Sequence, residues 1–210
     1  MNKQLSILLS IITLTLCLLL SGCGKKSAQL QPLDKEKPIL AFGDSLTAGY
    51  GTSEEYSYPT VLASISGYKV INAGISGETS AGGLERFEKT LNDIKPSLVI
   101  LMEGGNDILQ SVPPEQTKAN LIAMINIAKD QNIQVLLIGI PKKSLIGSSV
   151  SPIYPEIAKQ TGVLYDEKTI PSLIKKNELK SDLVHFNQQG YAIIAQKFYD
   201  DLKNAGAFKN

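Results

Sequence analysis

The side chains best suited to covalent chemistry in this 210-residue chain fall in four short polar stretches. They are Gly43-Asp44-Ser45-Leu46, Asn72-Ala73-Gly74-Ile75-Ser76-Gly77, Glu103-Gly104-Gly105-Asn106-Asp107 and Asp182-Leu183-Val184-His185. A serine hydroxyl is a weak nucleophile at neutral pH and needs a base beside it. His185 is the only imidazole in the chain, so that role falls to it. Asp182, three residues earlier, is placed to accept from Nδ1 and hold the ring in one tautomer. Each residue also has an ordinary role open to it. A serine after a strand is commonly a helix N-cap, a lone histidine is commonly incidental, and Asn106 can brace a loop. Asp44 and Asp107 read as such braces, through backbone hydrogen bonds.

The elements that carry these stretches decide between the roles. Ile39–Phe42, Val70–Ile71, Leu98–Met102 and Val135–Ile138 are strand candidates, with Val163–Tyr165 a weaker fifth. The third and fourth are apolar without alternation, as parallel strands covered on both faces require. Helix-length stretches separate them: Tyr58–Ser66 with Ser57 before it and Pro59 in its first turn, Ser80–Ile94, Pro114–Asp130 and Gln188–Lys203 capped by Asn187. Leu121, Met124, Ile125 and Ala128 form one buried helical stripe, and Tyr191, Ile194, Ala195 and Phe198 form another. The alternating order predicts a three-layer α/β/α domain around a flavodoxin-like, five-stranded parallel sheet over residues 38–210. In such sheets ligands bind outside the carboxyl ends of the strands. Three of the four polar stretches follow strands one, two and three, so they converge on one sheet edge.

In these blocks the chain resembles the GDSL, or SGNH, hydrolases, whose four motifs contribute Ser, Gly, Asn and His. Here those are Ser45, Gly77, Asn106 and His185, in the family's order and at its usual spacing. Supporting segments are Phe42-Gly-Asp-Ser-Leu-Thr-Ala-Gly-Tyr50, Ile75-Ser-Gly-Glu-Thr-Ser80 and Glu103-Gly-Gly-Asn-Asp107. The resemblance spans about Pro38 to Leu202 and is nearest to the bacterial periplasmic acyl-CoA thioesterase, lysophospholipase and arylesterase group. It implies an oxyanion hole made by the backbone N–H groups of Ser45 and Gly77 with the Asn106 side-chain amide, facing the oxygen that becomes negative. It implies a small acyl-ester, thioester or lipid substrate and no cofactor or metal. Leu46, Leu109, Ile140 and Pro141 are the residues expected beside the acyl chain. Two features depart from the family pattern. Phe186 follows the histidine where proline is frequent, and the loop Pro141–Val150 is shorter than in the thioesterases. A carbohydrate-ester deacetylase on the same site is the alternative within the family. A non-enzymatic binding lipoprotein is the alternative outside it.

The N-terminus reads as targeting sequence. Lys3 precedes an apolar run from Ile7 to Leu20, too short for a confident membrane span. Leu20-Ser21-Gly22-Cys23 resembles a bacterial lipobox, which makes 1–22 a signal peptide and Cys23 the lipidated residue. Residues 23–37 read as a flexible tether, and the fourteen after Cys23 would span roughly 20 Å. An exported protein held by lipid on a bacterial membrane is expected, as a monomer. Loss of Lys3 from the 21 basic side chains leaves them equal in number to the 20 acidic ones. A neutral domain has no general attraction for nucleic acid, so no such partner is expected. With Cys17 removed and Cys23 acylated, disulfides and cysteine nucleophiles are excluded together.

Overall fold

The computed structural model describes residues 28–142 and 149–208; Cys23 and the expected signal sequence lie outside them. Five parallel strands form one sheet: β1 (Ile39–Gly43), β2 (Val70–Gly74), β3 (Leu98–Met102), β4 (Gln134–Ile138) and β5 (Leu164–Asp166). Their spatial order is β2-β1-β3-β4-β5. All ten residues of β1 and β3 are buried, which explains why these segments read as continuous apolar runs. β2 is an edge strand and only half-buried.

Eight α-helices lie among the described residues, and five of them carry the layers. On one side α2 (Tyr58–Ser66) packs against α8 (Gln188–Asn204). On the other, α3 (Ser80–Ile94), α5 (Pro114–Asp130) and α6 (Ile153–Thr161) pack in series. Short helices α1 (Ser45–Ala48), α4 (Gly105–Leu109) and α7 (Thr169–Leu173) complete the order. The expected α/β/α architecture is therefore the one observed. Asn187 caps α8 through Oδ1, which accepts from the Gly190 N–H at 3.0 Å. Ser57 occupies the N-cap position of α2, yet its hydroxyl meets Thr60 Oγ1 at 3.1 Å instead of a backbone N–H.

Other differences are local. The fifth strand runs Leu164–Asp166, one residue later than its apolar pattern suggests, because it ends on an acid that works as a brace. Asp166 Oδ1 accepts from the Lys168 and Thr169 N–H groups at 2.8 and 2.9 Å and turns the chain into α7. The alternation implied a helix between β4 and β5 without placing it; that helix is α6, which carries Pro155 within its first turn.

The tether expected over 23–37 is not free throughout its described part. From Leu30 onward the chain is bound to the domain. The Leu30 and Leu33 N–H groups donate to the carbonyls of Ala205 and Ala207 at 2.8 and 2.7 Å. Gln134 closes a reciprocal pair with the Gln31 backbone, and Leu33 is 2% exposed. Composition alone hid this, because one buried leucine and a few backbone bonds leave no periodic pattern. This segment lies by the amino ends of the strands and the C-terminus, opposite the sheet edge that carries the polar turns.

One leucine of this kind contributes about 1.5–3 kcal/mol on burial, and a domain of this size shifts by roughly 2–4 °C per kcal/mol. A fragment beginning at Pro38 should therefore melt about 3–12 °C below one beginning at Ala28. Equal melting temperatures in calorimetry would show that the segment contributes nothing.

Candidate active site

Ser45 is the first residue of α1, directly beyond β1. The turn that presents it is set by its neighbours. Asp44 Oδ1 accepts from the Leu46 N–H at 3.0 Å, and Gly49 ends the four-residue helix in the left-handed region at φ +87°. Gly74 at the end of β2 leaves the room that α1 needs: a Cβ there would stand 2.1 Å from the Ala48 nitrogen. The serine is thus held by two strand ends and a brace.

His185 arrives from the far end of the chain. Its loop is pinned on both sides, by Ser181 N–H to the His185 carbonyl at 3.0 Å and Asn187 N–H to the Leu179 carbonyl at 2.9 Å. Phe186 is fully buried and packs edge-on against Tyr191, with centroids 5.9 Å apart. Where proline would stiffen this loop through its ring, Phe186 anchors it through burial. The Tyr50 ring lies against the imidazole at 4.4 Å, and the Tyr191 hydroxyl donates to the Tyr50 carbonyl at 2.8 Å.

The result is a continuous chain of short contacts. His185 Nε2 stands 2.9 Å from Ser45 Oγ, and Nδ1 stands 2.7 Å from Asp182 Oδ2. The other Asp182 oxygen accepts from the Val184 and His185 N–H groups at 2.9 and 2.8 Å. Partial burial pushes the Asp182 carboxyl up, but these hydrogen bonds outweigh it and hold the group at about 2. It is ionised at neutral pH and fixes Nδ1 as a donor, leaving Nε2 to accept from the serine. Asp44, beneath, behaves oppositely: burial pushes it to about 6 against the pull of the Leu46 N–H and of His185.

Gly77 and Asn106 face the same cavity as Ser45 and His185. Gly77 has φ +83°, and nothing lies within 4 Å of where a Cβ would sit, so backbone conformation selects glycine here. The Asn106 amide donates one N–H to the Glu78 carbonyl at 2.8 Å, which leaves its second N–H uncommitted. Asp107 accepts from Ser80 N–H, Ser80 Oγ and Thr117 Oγ1, so its carboxylate is spent on holding α3 and α5 to α4.

The cavity has a volume of about 690 Å³. Leu46, Leu109, Ile140 and Pro141, named from the sequence, all line it. Part of the expected substrate loop, residues 143–148, lies outside the described residues. Sequence reasoning missed Tyr50, Ile108, Ile170, Ile174 and Val184, which complete the apolar wall. Ile170 and Ile174 are four apart, at helical spacing, and recognising α7 would have revealed them. The others carry no pattern, since turns bring in Tyr50 and Val184 and Ile108 lies on the five-residue α4.

A hydroxyl, an imidazole and a carboxylate hydrogen-bonded in line, at the carboxyl edge of a parallel sheet, is an arrangement used by serine-dependent acyl hydrolases. Comparison with known proteins agrees with that class. Residues 41–193 match the GDSL-like Lipase/Acylhydrolase family. Esterase TesA of Pseudomonas aeruginosa is 36% identical over 152 residues, covering 68% of this chain and 75% of that protein. The Thioesterase 1/protease 1/lysophospholipase L1 of Escherichia coli K12 is 33% identical over 168 residues, covering 75% and 79%. Among solved structures, the psychrotrophic esterase EstA from Pseudoalteromonas superposes with a TM-score of 0.71 at 27% identity, over 81% of this chain and 98% of that one. The chain belongs to the GDSL-like lipase/acylhydrolase family and is a GDSL-type hydrolase. Family membership removes the non-enzymatic alternative.

The depressed Asp182 carboxyl can be observed directly. Its carbon resonance should titrate with a midpoint near pH 2 and rise in His185→Ala, toward the ordinary value of about 3.9. The folded value lies below the unfolded one. The bonded carboxylate therefore favours folding above about pH 4, and that contribution is lost as pH falls toward 2. An unchanged midpoint in His185→Ala would mean that the ring does not hold this carboxylate.

Proposed function

We propose that the protein cleaves acyl esters or thioesters in two steps, with Ser45 as nucleophile, His185 as general base and acid, and Asp182 orienting the ring. The observation that carries this reading is the unbroken Asp182–His185–Ser45 contact chain at the wall of an apolar cavity. In the first step Ser45 Oγ attacks the carbonyl carbon while Nε2 takes the hydroxyl proton. Nε2 then returns the proton to the leaving alcohol or thiol as the carbon–heteroatom bond breaks. Water, deprotonated by the same nitrogen, attacks the acyl-serine, and Nε2 returns that proton to Ser45 Oγ as the carbon–Oγ bond breaks and the acid is released.

The negative oxygen formed in each step is assigned to three donors: the Ser45 and Gly77 backbone N–H groups and the second N–H of Asn106. Neither backbone group has a hydrogen-bond acceptor among the described residues, and both belong to the same cavity wall as Asn106. The Glu78 carbonyl fixes the Asn106 amide beforehand, so no reorganisation is needed as charge develops. Leu46, Leu109, Ile140 and Pro141 would meet the acyl chain, joined by Ile108, Ile170, Ile174 and Val184. A wall this apolar suits a hydrocarbon chain better than a sugar, which supports acyl hydrolysis over carbohydrate deacetylation.

Wild type, Ser45→Ala and Asn106→Ala compared on a p-nitrophenyl acyl series test the mechanism. Ser45→Ala should show only background release and no labelling by a fluorophosphonate. Asn106→Ala should lose about 10²–10³ in kcat with KM nearly constant, since one oxyanion donor is worth roughly 3–4 kcal/mol in the transition state alone. It should still label, more slowly. A kcat within a few fold, with a raised KM and a lowered Tm, would make Asn106 a loop brace.

Anchoring through Cys23 is proposed with the enzyme. The lipobox-like Leu20-Ser21-Gly22-Cys23 supports it. So does the entry of the chain by the amino ends of the strands, which leaves the cavity on the opposite edge unobstructed. Cys23→Ser should leave the domain folded and abolish lipid labelling and normal processing. A mature-sized, lipid-labelled Cys23→Ser protein in the detergent phase would refute the anchor.

A further inference from the structure

Beneath the cavity lies a group of four carboxyls whose charges the hydrolytic mechanism does not use. Asp44, Glu103 and Asp107 are 3%, 0% and 2% exposed, and the Glu78 side chain is 9% exposed. Three of the four leave no buried oxygen without a partner among the described residues. Asp107 accepts from Ser80 and Thr117, Asp44 from the Leu46 N–H, and Glu78 from Arg86. That guanidinium donates from Nε and Nη2 to Glu78 and from Nη2 to the Ala73 carbonyl at 2.9 Å, while lying 3.9 Å over the Phe42 ring. Glu103 differs. Its Oε2 accepts from its neighbour's Gly104 N–H at 3.1 Å, but buried Oε1 meets no N–H or O–H among the described residues. What stands within hydrogen-bonding reach of the Glu103 side chain is another acid, Glu78. Both carboxyls rest against the glycines that begin α3, Glu78 beside Gly82 and Glu103 beside Gly83.

Two ionised carboxylates cannot share a dry contact, and a buried acceptor with no donor is costly. A proton on Glu103 removes both difficulties at once. We infer that Glu103 is a neutral carboxylic acid whose O–H donates to the Glu78 carboxylate, and that this one proton positions the oxyanion wall. The proton stays on Glu103 throughout the reaction, and no group is transferred. Its effect passes through Glu78. With Arg86 on one side and the Glu103 hydroxyl on the other, the Glu78 side chain fixes the turn that holds Gly77 and points the Glu78 carbonyl at Asn106.

The surroundings favour the neutral acid. Burial first, then the charges of Asp44 and Glu78, push the Glu103 carboxyl well above the usual carboxylate range. The charged groups that act on it are Asp44 from the β1–α1 turn and Glu78 from the β2–α3 turn, with Tyr154 of α6 on its backbone carbonyl and Arg86 of α3 on Glu78. The Tyr154 hydroxyl donates to the Glu103 backbone carbonyl at 2.7 Å and so cannot serve Oε1. Arg86 is already bound to Glu78 and supplies the one guanidinium of the group. Because the folded state holds a proton that the unfolded chain releases at lower pH, stability from this group is complete below the ordinary glutamate range. It is lost as pH rises through the raised folded value. Loss of the proton would set two carboxylates against each other and release the turn.

This inference rests on the assignment of Gly77 and Asn106 to the oxyanion wall, and the test separates the two. Steady-state pH profiles would be measured for wild type, Glu103→Leu, Glu103→Gln and Asn106→Ala. Glu103→Leu has similar volume but no donor, and should lower kcat about tenfold or more at pH 7 with KM nearly unchanged. Glu103→Gln keeps an N–H donor toward Glu78 and has no proton to lose. It should restore kcat to within about threefold of wild type and abolish the wild-type decline in kcat at alkaline pH. A Glu103→Gln profile with the same alkaline decline, or a Glu103→Leu enzyme as active as Glu103→Gln, overturns the inference. Infrared spectra at neutral pH supply a readout that needs no turnover. A protonated-carboxyl band present in wild type and missing in Glu103→Gln supports the neutral acid, and no such difference overturns it. If Asn106→Ala leaves kcat unchanged, the oxyanion assignment fails; if only the Glu103 variants are silent, the shared proton alone fails.

Discussion

The contact between His185 Nε2 and Ser45 Oγ joins side chains 140 residues apart, and at 2.9 Å it tolerates little error in either backbone. Neither residue can secure it alone. Ser45 is held from below by β1, by the Asp44 brace and by the room that Gly74 leaves beside α1. His185 sits on a loop with no regular structure, closed by backbone bonds at its base and weighted into the core by Phe186. The tolerance of the site is thus set by how well a buried aromatic and a capped helix, α8, locate a loop. The flexible part of the assembly is given the strongest local restraints.

Electrostatics below the site are arranged on the same logic. Carboxyls gather under the strand ends, where backbone N–H groups of short turns are plentiful, and most are absorbed as braces. Asp107 ties three helices together, and Asp166 turns β5 into α7. Asp182 has the same geometry, an acid accepting from N–H groups two and three residues on, with its second oxygen turned toward the imidazole. On the proposed mechanism a brace and an orienting carboxylate therefore differ by a single partner. This is why a sequence rich in Asp near turns does not by itself distinguish structural acids from functional ones. Glu103 keeps one buried oxygen that no donor among the described residues reaches, as Asp166 does at Oδ2, and Glu103 is the one that lies beneath the cavity.

The cavity and the chain entry lie on opposite edges of the sheet. Leu30 and Leu33 are bound to Ala205 and Ala207, so on the proposed anchor only residues 24–29 separate Cys23 from the domain. On the proposed anchor, the domain would stand close to its attachment with the cavity turned away from it. Ester-bearing molecules in the surrounding medium would then be more accessible than acyl chains buried in the same bilayer.

Much of this protein could be read from its sequence, and physical reasons explain which parts. Strands buried on both faces must be apolar without alternation, so β1, β3 and β4 announce themselves, as do the stripes of α5 and α8. The order of these elements determines a parallel sheet, and the rule for its carboxyl edge brings Ser45, Gly77 and Asn106 together. What the sequence could not determine is whatever depends on a single contact in place of a period. Leu33 docks through one side chain and a few backbone bonds. The short helices α4 and α7 have too few residues to show periodicity, so Ile108, Ile170 and Ile174 were invisible as cavity wall. The state of Glu103 is the extreme case. A glutamate in a glycine-rich turn gives no sign of its charge. Tertiary packing alone withholds donors from one oxygen and sets Glu78 beside it, because desolvation and like-charge contact are properties of the assembled site.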